Sequence, residues 1–319
     1  MENTNHPATV FREMYYLTDG GLETTLIFNK GILLNSFAAF ELLKNEAGRK
    51  AFEEYFHPYQ SLAVQYQLGF VMESPTWRAN SDWGAQLGYT ADELFALNKQ
   101  SIYFIQELTQ PFSQSLPHII ISGNIGPRGD GYKADNRMTT EQAMQYHLEQ
   151  INAFAAAGAD LVTAVTMTYS EEAIGIIQAA QSLQLPVVIS FTVETDGKLP
   201  SGELLQEAIE KTDKATDNYA EHFMINCAHP QHFLPQLEQE GDWKYRVRGI
   251  RANASLKSHA ELDESVTLDA GDKCLLAAGY VQLFQLLPDL KVIGGCCGTD
   301  HSHIEEICKT LKEHEFLTA

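Results

Sequence analysis

The sequence contains no apolar run approaching the roughly 20 residues that cross a bilayer, so no membrane span is expected. Positive charge is scarce. Lysine and arginine number 22 against 42 aspartates and glutamates, a formal net charge of −20. Such a surface repels nucleic acid and anionic membranes; it serves solubility and is compatible with a cationic ligand. The stretch from Met1 to Arg12 is polar and lacks the basic start and apolar centre of a secretion signal, so a cytoplasmic location is expected. Cysteine is sparse and odd in number: Cys227, Cys274, Cys296, Cys297 and Cys308. Two of the five are adjacent, which suits a strain-free disulfide poorly. A disulfide framework is therefore not expected, and a reduced compartment is.

What is present is an alternation. Short apolar, β-rich runs are predicted at Met14 to Thr18, Phe70 to Glu73, His118 to Ser122, Asp160 to Thr166, Val187 to Phe191, Phe223 to Asn226, Val247 to Arg251 and Lys291 to Ile293. Helical stretches follow them, the first from about Phe37 to Leu68 and the last from Asp300 to about His314. Thr90 with Glu93 reads as a capping box, and Gly158 as the end of a helix begun near Glu141. Eight strands alternating with helices imply a parallel sheet with right-handed crossovers. Hydrophobic residues make up 44%, enough for a large core. The length of 319 suits one α/β barrel of roughly 250 residues plus insertions. The expectation is a single (β/α)8 TIM barrel domain over residues 1–319.

In such barrels the chemistry sits at the C-terminal ends of the strands. Asp19 and Glu23 follow the first predicted strand, Glu73 ends the second, Asn226 and Cys227 end the sixth, and Cys296 and Cys297 end the eighth. Three thiolates converging in a reduced protein point to Zn2+, which takes tetrahedral sulfur ligation at about 2.3 Å and keeps one position open when catalytic. Gly294, Gly295 and Gly298 flank the adjacent pair and allow the backbone to bend so that both sulfurs ligate one ion. Cys274 and Cys308, inside predicted helices, read instead as small buried hydrophobes. A zinc with three thiolates is a poor activator of water. It can hold a substrate thiol as a nucleophilic thiolate that attacks a methyl group on a sulfonium or ammonium, with no catalytic side chain needed beyond the metal site.

The motifs Asp19-Gly20-Gly21-Leu22-Glu23-Thr24, Asn226-Cys227 and Gly294-Gly295-Cys296-Cys297-Gly298-Thr299 resemble those of the homocysteine S-methyltransferase family. That family includes the betaine- and S-methylmethionine-homocysteine methyltransferases and the homocysteine domain of methionine synthase. The resemblance implies a zinc held by Cys227, Cys296 and Cys297. It implies an Asp19-to-Glu23 loop that receives the amino acid end of homocysteine, with backbone N–H groups around Gly20 and Gly21 on its carboxylate and Asp19 or Glu23 on its ammonium. It also implies methyl transfer from an onium donor to homocysteine, giving methionine and a place in methionine biosynthesis. One departure stands out. Several members carry a glutamate at the end of the fourth strand, whereas here the chain reads Ala164-Val165-Thr166-Met167-Thr168-Tyr169. Either the ammonium grip shifts to Glu73 or Glu23, or the substrate is not homocysteine; Asn226 completes the expected substrate-binding set.

For the donor, Trp77, Trp83, Tyr132 and Tyr169 fall on loops at the predicted mouth, and their faces suit onium methyl groups. Trp77 and Tyr169 are the donor-binding expectations. Arg78, Arg128 and Arg251 are read as salt-bridge partners within the acidic surface, with a donor carboxylate as the alternative for one of them. Two other readings are kept: a homocysteine module served by a separate corrinoid or folate protein, and a non-catalytic thiol- or zinc-binding barrel. An oligomer is compatible with all of these.

Overall fold

A computed structural model describes residues 9–317. Eight parallel strands close into a barrel in chain order. They are β1 (Tyr16–Leu17), β2 (Gly69–Glu73), β3 (Ile119–Ile125), β4 (Leu161–Met167), β5 (Val187–Thr192), β6 (His222–Asn226), β7 (Val247–Ala252) and β8 (Val292–Gly295). The ring shuts where Tyr16 and Leu17 pair with Val292 and Ile293. The principal helices Glu46–Tyr66, Ala91–Thr109, Thr140–Ala156, Ser170–Ser182, Leu205–Thr216, Pro230–Leu237, Lys273–Leu286 and His301–Glu313 follow the strands in turn and form the outer layer. The expected barrel is the observed one. No helix among the described residues is long and apolar enough to cross a membrane.

The boundaries follow local chemistry. Thr90 and Glu93 form the expected capping box, and Thr139 with Gln142 forms another. The helix expected from Phe37 is broken: Ser36 and Phe37 take positive φ, a short 3-10 turn covers Ala39–Lys44, and the α-helix begins only after Asn45, whose side chain accepts from the Gly48 N–H. β3 runs three residues beyond its expected end. Gly123 reads as a turn signal in sequence, yet here it lets the strand pass under Phe154, where a Cβ would collide with the ring. β4 starts one residue late because the Asp160 carboxylate accepts from the Ile121 N–H at 2.7 Å.

Side chains alternate across each strand, so every second residue points inward. At the N-terminal end Tyr16, Val71, Ile120, Leu161, Val188, Met224 and Val292 form a buried apolar cluster, with Val10, Phe11 and Met14 packed beneath it. Two residues further along the same strands stand Thr18, Glu73, Ser122, Thr163, Ser190, Asn226 and Gly294, and Arg251 occupies that level on β7. The barrel interior thus changes from apolar to polar within one repeat of the pleat, and the polar layer floors the open end.

Candidate functional site

Cys227 follows β6 with φ of 55°, a left-handed conformation that turns its side chain back over the strand ends. Two donors hold its carbonyl: Asn253 Nδ2 at 3.0 Å and His259 Nε2 at 2.6 Å. Cys296 and Cys297 follow β8. The Cys296 N–H donates to Ala252 O at 2.8 Å, and Cys297 O accepts from the Ala254 N–H at 3.2 Å. Gly298 then takes φ of 81°. A side chain at Gly294 would run into Thr18 Oγ1, and one at Gly295 into Thr299 Oγ1, so the glycines let the cysteine turn lie against β1.

The three sulfurs lie within 4.8 Å of one another. Cys227 and Cys296 are in disulfide contact, with Cα atoms 5.4 Å apart, while Cys297 is free. This differs from the expectation of unpaired thiols. Sulfurs gathered tightly enough to share one ion are also close enough to bond, and one bond inside a ligand cluster is not a framework of cross-links. Once the Cys227–Cys296 contact is reduced, the donor set fits zinc: three thiolate ligands from two strand ends, facing a cavity. Cys308 is buried as expected. Cys274 is exposed at the start of its helix, contrary to the buried reading, because the first turn there faces outward.

The Asp19-Gly20-Gly21 turn abuts the cysteine loop. The Gly21 N–H donates to Thr299 O at 3.0 Å, and Thr24 Oγ1 accepts from the Gly298 N–H at 3.3 Å. The Gly21 amide is therefore spent on fixing the two loops together, which leaves the Gly20 amide as the candidate carboxylate donor of that turn. Side chains on Gly20 or Gly21 would strike Tyr59 and Thr299, or Thr24 and Cys296.

Asp19 and Glu73 are joined by Arg251. Its Nη2 donates to Asp19 Oδ1 at 2.5 Å, its Nη1 to Glu73 Oε2, and its Nε to Gly295 O at 3.1 Å. Tyr55 donates to the other Asp19 oxygen at 3.0 Å, and Asn124 Nδ2 to Glu73 at 2.7 Å. Burial pushes both carboxyls up, and the guanidinium opposes it. The two carboxylates hold the buried Arg251 charged, far above its ordinary range against the opposing effect of burial. Asp19 and Glu73 thus sit where expected, but each is already paired with a cation. The Arg251 charge beside each one weighs against either as the grip on an ammonium.

Glu23 differs. It lines the same cavity with no ion-pair partner among the described residues. Burial, reinforced by the Asp19 charge, raises it to about 7. Asn226 braces the floor rather than offering itself: its Oδ1 accepts from Ser190 Oγ at 2.6 Å and the Thr166 N–H at 2.9 Å, and its Nδ2 donates to Thr166 Oγ1 at 3.0 Å.

The cavity over these groups measures ≈ 490 Å³. Its walls include Trp77, Arg78, Trp83, Tyr132, Asp130 and Asp263. Tyr132 stacks on His259 at 3.9 Å, and its hydroxyl stands 3.5 Å from Cys297 Sγ. Tyr169 is not at the mouth. It is buried, and its hydroxyl accepts from the Met138 N–H at 3.0 Å, so it packs the loop and drops out of the donor site. Sequence reasoning missed Asn124, which lines the cavity with Oδ1 buried and unpartnered. Its signal was an amide inside a run otherwise read as a turn. Val165 and Thr166 line the cavity where a β4 acid would stand.

Known proteins resemble the chain along most of its length. Residues 16–311 match the family model for homocysteine S-methyltransferase. Homocysteine S-methyltransferase 1 of Arabidopsis thaliana is 24% identical over 321 residues, covering 93% of each chain. Homocysteine S-methyltransferase 4 of Zea mays is 21% identical, covering 77% of this chain and 76% of its own. Among solved structures, the metallated form of the Escherichia coli homocysteine methyltransferase MmuM superposes with a TM-score of 0.72 at 17% identity, covering 93% of this chain and 96% of that one. That likeness establishes the shared barrel. The chain belongs to the homocysteine S-methyltransferase family and is a methyltransferase.

Proposed function

We propose that the enzyme transfers a methyl group from an onium donor to the sulfur of homocysteine, with a zinc ion held by Cys227, Cys296 and Cys297. The observation that carries this reading is the convergence of three cysteine sulfurs within 4.8 Å at the wall of a cavity. Bound there, zinc would keep the acceptor sulfur as a thiolate at neutral pH. The chain's own residues do the rest. Arg251 with Asp19 and Glu73 makes a rigid floor. Glu23, which makes no salt bridge among the described residues, and Asn124 Oδ1 are cavity-lining acceptors, and they receive the acceptor's ammonium. Glu23, Asp130 and Asp263 give the walls a negative bias that suits a cationic donor. Tyr132 closes over Cys297 and limits water there. Alignment of thiolate and methyl carbon is the main catalytic contribution of the cavity, since the displacement needs no general base at carbon.

The test is methionine formation from homocysteine on zinc-loaded protein, with S-methylmethionine and glycine betaine as donors, alongside metal analysis. One zinc per chain and turnover with at least one donor are expected. Turnover that survives complete removal of metal overturns the reading. Activity that appears only with an added corrinoid or folate protein overturns the onium donor.

A further inference from the structure

Three arginines stand near the strand tips, and two are spent. Arg128 pairs with Asp82 at 2.8 Å on the surface. Arg251 is consumed by Asp19 and Glu73. Arg78 lines the cavity and makes no salt bridge among the described residues, although the Asp130 and Glu23 charges act on it from within the same cavity. Its guanidinium carbon lies 4.1 Å from the ring centroids of both Trp77 and Trp83. Nη1 donates to Gly129 O at 2.9 Å, and Nε is buried with no acceptor.

A guanidinium presents its N–H groups as a planar fork matched to a carboxylate. In Arg78 the Nη1 bond to the loop fixes one corner, and the two indoles fix the plane. The edge formed by Nε and Nη2 is left without a protein acceptor. A cation held this rigidly loses little freedom on binding, which makes it a preorganised anion site. The indole faces that could take an onium methyl group are turned to the arginine instead, so Trp77 acts here by orienting Arg78.

We propose that Arg78 is the anchor for a substrate carboxylate in this cavity and so determines specificity for amino acid substrates over their decarboxylated forms. The identity of the substrates rests on the function proposed above; the anion site does not. The carboxylate belongs to the donor or to the acceptor, and the experiment separates the two.

Zinc-loaded wild type, Arg78→Gln and Arg78→Lys would be assayed with four substrate pairs. The donors are S-methylmethionine and (3-aminopropyl)dimethylsulfonium, and the acceptors are homocysteine and 3-aminopropanethiol. In wild type, deleting the carboxylate that Arg78 holds should lower kcat/KM about 10–100-fold, the scale of a charged hydrogen bond. In Arg78→Gln that penalty should vanish for the same substrate and persist for the other, with the loss seen in KM. Arg78→Lys keeps the charge without the fork and should retain part of it. An equal loss across all four pairs means that Arg78 only props the loop, and an undiminished penalty means that the carboxylate is held elsewhere; either result overturns the proposal.

Binding gives an arm independent of turnover, because Trp77 and Trp83 flank the guanidinium and tryptophan fluorescence reports on it. Each of the four compounds would be titrated singly. Carboxylate-dependent binding without any methyl transfer would sink the function and leave the anchor standing. Transfer with carboxylate-independent binding would do the reverse.

Discussion

The two ends of the barrel interior are made from the same strands and do opposite work. At the closed end Tyr16, Val71, Ile120, Leu161, Val188, Met224 and Val292 exclude water and pack on one another. Two residues further along stand Thr18, Glu73, Ser122, Thr163, Ser190, Asn226 and Arg251, buried as deeply but bonded as a polar network. The first layer stabilises through apolar area removed from water. The second must satisfy every polar group it buries, and it holds the site in one shape as a result. Stability and function are thus separated by about one pleat repeat, roughly 7 Å along each strand.

Substitutions should show that division, beginning with the most severe. Cys296→Ser should abolish methyl transfer and strip the metal, checked by metal analysis and methionine formation, because an alcohol replaces one of three thiolates. Retained zinc and activity would remove Cys296 from the ligand set. Arg251→Met should be the exception that crosses the division. It lies at the open end, yet it leaves Asp19 and Glu73 facing each other without a cation, and breaking such a buried pair costs about 3–5 kcal/mol. Denaturant unfolding would measure the loss, and a change below about 1 kcal/mol would mean that the carboxyls simply take up protons. Met224→Ala at the closed end should cost about 2–5 kcal/mol by opening a cavity. Its kcat/KM should nonetheless stay within about twofold of wild type at temperatures where it is folded, since Met224 does not line the cavity. Glu23→Gln should do the converse, raising KM for homocysteine by about tenfold, the scale of one charged hydrogen bond, while leaving the melting temperature nearly unchanged.

The smallest effect is a pH dependence seated at the closed end. Burial, followed by the charges of Arg248 and Arg246, pulls His222 down to about 3. Burial and Arg12 also lower His118, whose ring nitrogen is 2.8 Å from the Tyr16 hydroxyl. The unfolded chain takes up these protons near pH 6.5, before the folded chain does. These two histidines therefore contribute nothing to the slope above that pH and lower stability as pH drops through the region below it, while the raised Glu23 carboxyl works in the opposite direction. Melting curves at pH 7 and pH 5 would measure this, and His222→Phe should flatten part of the slope. An identical slope in that variant would assign the acid sensitivity to other groups.

Much of this arrangement was legible in the sequence because it is local. Strand runs, capping boxes and the glycines around Cys296 and Cys297 announce themselves within a few residues. The cysteine trio was legible for a second reason: the rule that barrel chemistry gathers at strand ends brings Cys227 to the other two without coordinates. The Arg251 bridge was not legible, since it joins residues separated by 232 and 178 positions and depends on how the closed ring sets one strand tip against another. There was a clue nonetheless. An arginine near the end of an otherwise buried strand needs carboxylates, and Asp19 and Glu73 were the acids at strand tips. Tyr169 was misplaced because a loop aromatic can face the cavity or the packing beneath it, and no periodicity distinguishes the two. Arg78 beside Trp77 was visible, but the second indole comes from Trp83 and depends on how the short helix Ser81–Gln86 folds back.

The seam between β1 and β8 has a consequence for how activity first arises. The Asp-Gly-Gly turn lies on one side of that join and the cysteine pair on the other, tied by Gly21 to Thr299 and by Gly298 to Thr24. A growing polypeptide carries the first half of its binding pocket from the outset, yet has only one of the three clustered sulfurs until residue 296 has been added. Catalytic competence therefore cannot precede the joining of the two ends of the ring.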